Sequence, residues 1–471
     1  MKVVIINKSE NNGGAAVVSR RLVEALRQEG VDAQMLVVES AECQVPSAED
    51  QVTGKEVTVC QFESKWLIKY KFLLERLKIF IANGFNRETL FKIDTGSDGL
   101  PLWKHPLVKE ADAVLINWVN QGMLSLKGFR KILEMGKPVI WTMHDMWEMT
   151  GICHHAGCCS HFEKECGNCP LLGKKGSPTD LSHKIWQRKK NIYTDSALMK
   201  KAAFVAVSSW LEGKAGQSSL LRDQKVEVIP NAFRVPGAEC QVSSVESQVS
   251  RARCRVPMDG GDSYERRDIS TSDLRTGKEG KRKIRILFGA ARLDDPIKGL
   301  DTLKEMARIL KQDYPDIAAD MEIAMFGRIK NKEVLNDFAL PLVQLGVLKG
   351  EEAVRAAYET SDILVSASSY ETLPGTLVEA QAYGCIPVSF NQGGQRDIVE
   401  HLSTGYIADY DDNPANRALN LVLGIVWATS RIKDEDIRLS ILSRMRKNVE
   451  EKFSYSRVAQ RYIELINNLM Q

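Results

Sequence analysis

Two carboxylates, Glu371 and Glu379, stand eight residues apart on either side of Leu373, Pro374, Gly375, Thr376 and Leu377. Pro374 and Gly375 break the chain where a helical pattern begins. The amides of Gly375, Thr376 and Leu377 therefore read as the unpaired donors of a helix N-terminus, a position that favours phosphate. Carboxylates beside such a site suit sugar hydroxyls, which donate hydrogen bonds to them. Upstream, Arg292 and Lys298 supply a planar fork of donors and a point cation, the two kinds of charge that would hold a diphosphate leaving group. Taken singly, either cation could equally be a surface residue. At one strand edge they point together to diphosphate chemistry.

Earlier in the chain, Gly13 and Gly14 would let backbone approach a ligand closely in a strand-to-helix turn, although a glycine pair is also simply a turn. His144 ends an apolar strand pattern, WTMHD, where an imidazole can bond a sugar hydroxyl, stabilise charge or serve a structural role. Residues 153–170, CHHAGCCSHFEKECGNCP, hold five of the ten cysteines. Cys166 and Cys169 have zinc-knuckle spacing, and Cys153 with Cys159 would complete a tetrahedral, structural site. Buried free thiols and an iron–sulfur centre are the other readings of the same loop.

The elements that must position these residues follow from periodicity. Strand patterns at 2–6, 34–38, 112–117, 138–143, 203–208 and 226–229 alternate with helical or loop segments. A second series has strands at 283–289, 321–326 and 362–367, with helices at 298–310 and 351–360. Strands separated by helices imply doubly wound parallel sheets, so two Rossmann-like α/β domains in tandem are expected, at 1–233 and 283–453. Residues 234–282 are rich in Ser, Gly, Asp, Arg and Lys and read as a disordered insert. Helical patterns at 434–453 and 455–470 close the chain. Ser454 would cap the second, and 454–471 would pack back on the first domain. Residues 41–52 and 238–249 share nine of twelve identities, which fits a repeated surface-loop insertion.

The 471 residues include 64 Lys and Arg against 61 Asp and Glu, a formal charge of +3 that disfavours nucleic acid as the main partner. The longest apolar stretch, near 421–428, is too short for a membrane span and no export signal is evident, so a cytoplasmic protein with reduced thiols is expected. Residues 65–81, KWLIKYKFLLERLKIFI, place Trp66, Tyr70, Leu73, Leu77 and Phe80 on one basic helix face. That face suits either an anionic membrane surface or packing on its own domain.

The runs GAARLDDPIKGLDTL, SASSYETLPGTLVEAQAYGCIPVSF and NQGGQRDIVEHLSTGYIAD resemble the C-terminal domain of family 4 glycosyltransferases of the GT-B fold, and Glu371 with Glu379 match that family's E-x7-E motif. The resemblance implies a retaining transferase with the nucleotide-sugar site, most often for a UDP-sugar, in the interdomain cleft. It assigns Glu379 to the ribose, Glu371 and His144 to the donor sugar, and Arg292 and Lys298 to the diphosphate. It also puts the Gly13–Gly14 turn beside the phosphates and requires no catalytic metal. Gly375 departs from it, since relatives often carry Asn there. HDMW followed by a loop ending CGNCP resembles exopolysaccharide and colanic-acid-type enzymes, in which an acidic residue often replaces Cys158. This implies a lipid-linked or oligosaccharide acceptor, a peripheral place on the inner membrane face, and a loop in which Cys158 is spare. The rival readings are a GT-B epimerase or phosphorylase and an inactive zinc-bearing scaffold.

Overall fold

The run KVVII leaves only Lys2 exposed as a strand, β1 (Lys2–Ile6). A strand buried on both faces needs helices above and below it, which is the condition for a parallel sheet. The computed structural model describes residues 1–11, 13–39, 59–62, 64–235, 252–257, 264–269 and 283–471; both copies of the twelve-residue repeat lie outside the described residues. Two units emerge. One comprises Met1–Arg234 with Ser454–Gln471, the other Val235–Phe453.

In the first unit, β1 is joined by β2 (Asp32–Val37), β3 (Val59–Gln61), β4 (Ala113–Ile116), β5 (Val139–Met143), β6 (Ala202–Ala206) and β7 (Val226–Val228). Their order is β3-β2-β1-β4-β5-β6-β7, and every pairing is parallel. Helix α1 (Gly14–Gln28) buries Ala16, Ser19, Leu22, Val23 and Leu26, the spacing of one helix face, against this sheet. Helix α2 (Lys65–Ala82) buries Glu75, Arg76 and Ile79, and α3 (Leu181–Tyr193) follows later in the unit. The apolar stripe expected on α2 is corrected at its end. Ile81 is exposed on it, whereas Phe80 is partly covered and meets Phe85 edge-on at 5.2 Å.

Within 234–282 the structure describes an antiparallel pair, β8 (Ala252–Pro257) with β9 (Tyr264–Ile269). The second unit's sheet contains β10 (Ile284–Arg292), β11 (Met321–Arg328), β12 (Leu342–Gly346), β13 (Ile363–Ser366), β14 (Ile386–Phe390) and β15 (Tyr406–Ala408). The order is β12-β11-β10-β13-β14-β15, again parallel throughout. Each unit is thus a doubly wound Rossmann-like sheet, the architecture expected of a GT-B chain. In each, the winding direction reverses beside the first strand, between β1 and β4 and between β10 and β13. Ligands of such sheets bind at the carboxyl ends of the strands flanking that reversal.

Helices α4 (Leu300–Asp313), α5 (Gly375–Ala382), α6 (Pro414–Ile432) and α7 (Glu435–Phe453) cover the second sheet. The apolar run near 421–428 lies in α6, where Leu421, Val422, Ile425 and Ala428 are buried. Among the described residues no helix is long and apolar enough to cross a membrane. The final helix, α8 (Tyr455–Met470), belongs to the first unit, where seven of its side chains join the core. Ser454 occupies its N-cap position, but its hydroxyl makes no capping bond. Ser454 instead forms a parallel bridge to Phe233.

Because Leu465 is 1 % exposed within the first unit's core, Leu465→Ala should cost the first unit about 2–5 kcal/mol. Denaturant unfolding followed by hydrogen exchange should show amides of β1 and β4 losing protection while those of β10 and β13 keep theirs. Equal loss in both units would contradict this assignment of α8.

Candidate functional site

In the second unit the loops leaving β10 and β13 meet at the reversal point. Arg292 is the last residue of β10, and residues Pro296–Lys298 form a single 3-10 turn ending at Gly299. The helix expected from 298 therefore begins at Leu300, which leaves Lys298 in the loop. Gly299 has φ 74°, and a Cβ there would lie 2.1 Å from the Ala367 carbonyl oxygen. Only glycine allows this crossing. Ser369 N–H donates to the Ile297 carbonyl at 2.9 Å and locks the two loops together.

Across that contact, Lys298 Nζ donates to Glu371 Oε1 at 2.6 Å; the side chains are 30 % and 19 % exposed. Glu371 is itself fixed by its backbone. Its N–H donates to the Gln392 carbonyl at 3.2 Å, and its carbonyl accepts from Gly394 at 3.1 Å. Arg292 lies on the same loop but turns to Asp294, 3.4 Å away, with about half its side chain exposed. Glu379, on α5, accepts a hydrogen bond from the buried Tyr358 hydroxyl at 2.9 Å. Burial and then the Glu379 charge hold that hydroxyl well above its ordinary pKa, so it remains a donor.

Pro374 occupies the N-cap position of α5, and Gly375 and Thr376 lead the helix with amides that have no acceptor within it. Leu377 is a correction. Its N–H donates to the Pro374 carbonyl at 3.1 Å, which removes it from the set of donors available to an anion. A Cβ at Gly375 would meet nothing within 4 Å, so the missing side chain leaves open space there. Leu373 lies in the turn between Glu371 and the helix.

In the first unit, Gly13 caps α1 with φ 91°, a conformation that demands glycine, whereas Gly14 is the ordinary first residue of that helix. His144 follows β5 and lines a small cavity with Asn117, Thr142, Asn231 and Tyr462. Thr142 Oγ1 and the Tyr462 hydroxyl are 2.9 Å apart. Burial pushes the His144 imidazole down to about 4, with Asp145 opposing, so it is neutral at pH 7.

Sequence reasoning missed a buried ionic network on the other side of this turn. His154 Nδ1 lies 2.8 Å from Asp145 and its Nε2 lies 2.7 Å from Asp94. Burial alone would lower the His154 pKa, but Asp145 and then Asp94 outweigh it and raise it. Asp94 also pairs with Arg76 of α2, and the Trp118 indole donates to Asp145 at 3.2 Å. Burial and the Asp94 charge push Glu75 up to about 7. Beneath this, burial pushes Lys189 down to about 7, and its ammonium sits 3.4 Å from the centre of the Trp147 ring. The available signal was the adjacent Glu75 and Arg76, with Glu75 the one acid in a helix whose other charges are lysines.

Cys153, Cys159, Cys166 and Cys169 line one cavity with His161, while Cys158 is exposed outside it. Cys166 Sγ accepts from Gly151 N–H at 3.1 Å, and the Cys169 N–H donates to Asp180 at 2.8 Å. Among the described residues, however, no three His, Cys, Asp or Glu side chains are gathered closely enough to hold a metal ion.

Residues 273–423 match the family described as glycosyl transferases group 1. An uncharacterized 41.2 kDa protein in the cps region of Klebsiella pneumoniae is 24 % identical over 245 residues, 51 % of this chain and 57 % of that one. The chain spans about half the length of the curated relatives it matches. Among solved structures, a glycosyltransferase from Rickettsia africae has a TM-score of 0.58 at 14 % identity, covering 100 % of this chain and 98 % of that one. Anabaena Alr3699/HepE in complex with UDP has a TM-score of 0.55 at 13 % identity, covering 99 % and 100 %. These structural likenesses carry the fold.

A neutral His144 makes a pH prediction. The unfolded chain takes up its histidine proton near pH 6.5 and the folded chain only near 4, so stability falls as pH drops through that window. Between pH 7 and pH 5 the loss is about 2 kcal/mol. Urea unfolding of wild type and His144→Asn at both pH values should show this acid-dependent loss in wild type only. Equal losses would mean that the imidazole is not buried as a neutral group.

Proposed function

We propose that this chain, with its glycosyltransferase group 1 region at residues 273–423, is a retaining transferase of the family 4 type. It would move a sugar from a nucleotide-sugar donor to a growing, lipid-linked polysaccharide at the inner face of a membrane. The observation that carries this reading is the Lys298–Glu371 pair at the β10/β13 reversal point, beside the leading amides of α5. UDP as the nucleotide is supported by the UDP complex of the Anabaena neighbour, and a polysaccharide product by the cps-region relative. A cation and a carboxylate held ready at this edge argue against an inactive scaffold.

The mechanism follows from what each group can do. Charge builds on the diphosphate as the bond from the anomeric carbon to the leaving phosphate oxygen breaks. Lys298, Arg292 and the Gly375 and Thr376 amides would offset that charge. The acceptor hydroxyl would form its bond on the same face and pass its proton to the departing phosphate oxygen, which retains configuration. Glu371 would hold donor-sugar hydroxyls and Glu379 those of the ribose. His144, being neutral, would act as a hydrogen-bonding group rather than as a cation. No step calls on a divalent metal.

Removing Lys298 should therefore act on the reaction far more than on the fold. Lys298→Ala is expected to slow nucleotide release from the preferred donor by about 10²–10³-fold. Because the ion pair is partly exposed, the fold should lose under about 1 kcal/mol. A panel of UDP-, GDP- and ADP-sugars assayed for nucleotide release with a membrane acceptor extract tests this. Undiminished turnover by the variant would sink the assignment.

We also infer that Cys153, Cys159, Cys166 and Cys169 hold a structural zinc ion. Four thiols facing one cavity support this, although metal binding must first draw them to ligating distance. Purified protein should contain about one zinc per chain by elemental analysis, lost in Cys166→Ser but kept in Cys158→Ser. Metal-free wild type would defeat the idea.

A further inference from the structure

Helix α2 turns a charged side inward and an apolar side outward. Its interior contacts are Glu75, Arg76 and Ile79, all buried. Trp66, Tyr70, Leu73, Leu77 and Ile81, spaced four, three, four and four residues apart, form a single stripe in solvent. Trp66 is 73 % exposed, Leu73 62 % and Leu77 55 %. Phe85, 65 % exposed, and Phe91 add two further exposed apolar side chains just beyond the helix. A soluble surface rarely leaves so many large apolar groups in one line without a partner.

The charges around the stripe say which partner. Between residues 65 and 92, Lys65, Lys69, Lys78, Arg87 and Lys92 are exposed, whereas Glu88 is the one exposed carboxylate. The other acid, Glu75, is spent inside, where its carboxylate accepts from Thr95 and Gly96. Trp66 and Tyr70 stack at 5.4 Å with 2° between their planes, and these two residue types favour the membrane–water boundary. A second copy of the chain is a poor occupant, because a two-fold pairing of α2 would set one row of lysines against another.

We propose that the exposed face of α2, extended by Phe85 and Phe91, docks on an anionic phospholipid bilayer, with the helix lying in the plane of the surface. The apolar side chains enter the headgroup boundary while the flanking lysines meet lipid phosphates. This deepens the lipid-linked acceptor reading by naming the surface that brings the enzyme to its substrate.

The full chain should co-sediment with phosphatidylglycerol-containing vesicles at least tenfold better than with phosphatidylcholine vesicles, and added salt should weaken the binding. Leu73→Ser with Leu77→Ser should abolish sedimentation with an unchanged melting temperature, since both side chains are exposed. Lys65→Glu with Lys69→Glu should weaken binding to anionic vesicles. Failure to bind, equal binding to both lipids, or indifference to the serine pair would each overturn the proposal. So would a wild-type dimer that the serine pair converts to a monomer. Donor binding measured without vesicles, as thermal stabilisation by UDP-, GDP- and ADP-sugars, separates the two readings. Its absence beside intact vesicle binding would count against the transferase, and its presence without vesicle binding would count against the docking face alone.

Discussion

A parallel strand can be followed only by a crossover, so every strand of one sheet delivers its exit loop to the same edge. That constraint organises both units. In the second unit the loops leaving β10 and β13 converge because the winding reverses between them, and their contact places Lys298 against Glu371. Backbone must pass very close to backbone for this to happen. Gly299 and Gly393 permit it, since a Cβ at either position would collide with the carbonyl oxygen of Ala367 or Glu371. Lys298 and Glu371 are thus held by loops whose shape two glycines make possible.

Charge near the candidate residues is held differently in the two units. In the first, Asp94, Asp145, His154 and Arg76 are buried together, and each charge is tolerable only because the others neutralise it. Such a network gains little net stability, but it fixes geometry. It ties α2, the segment around Asp94, the His144–Asp145 turn and the cysteine loop into one rigid assembly. In the second unit Arg285 is likewise buried against Glu322, whereas Lys298 and Arg292 at the candidate site remain partly exposed.

Much of this was legible in sequence because strands buried on both faces become short apolar runs, and the alternation of such runs with helices specifies winding. The edge strands β3, β12 and β15 were not anticipated, nor was β14, although its IPVSF run is buried throughout. β12 is only partly covered and mixes Leu and Val with Gln and Gly, so no apolar run marks it. Site residues were recognisable by type and by their place after a strand, but their partners were not. Lys298 and Glu371 are 73 residues apart, and His154 and Asp94 are 60 apart. No local pattern encodes such meetings. Nor could spacing reveal that the Leu377 amide is consumed by Pro374, because that depends on how the first turn tightens.

On the proposed function the Lys298–Glu371 pair faces a competition, since a lysine already bonded to a carboxylate would have to serve a diphosphate. Magnitudes settle it. A partly exposed ion pair contributes about 0.2–1 kcal/mol, so releasing Lys298 costs little. A doubly charged diphosphate offers a larger Coulombic gain at the same site, strengthened by the leading amides of α5. The freed Glu371 carboxylate would then face the hydroxyl donors of the proposed sugar rather than a cation. The pair is best understood as a resting arrangement that keeps two flexible side chains near their working positions. Gly299 limits how far the loop carrying Lys298 can wander, and the backbone bonds of Glu371 do the same on the other side. What the fold supplies is therefore pre-positioning at low energetic cost, with the stronger interaction left for the ligand.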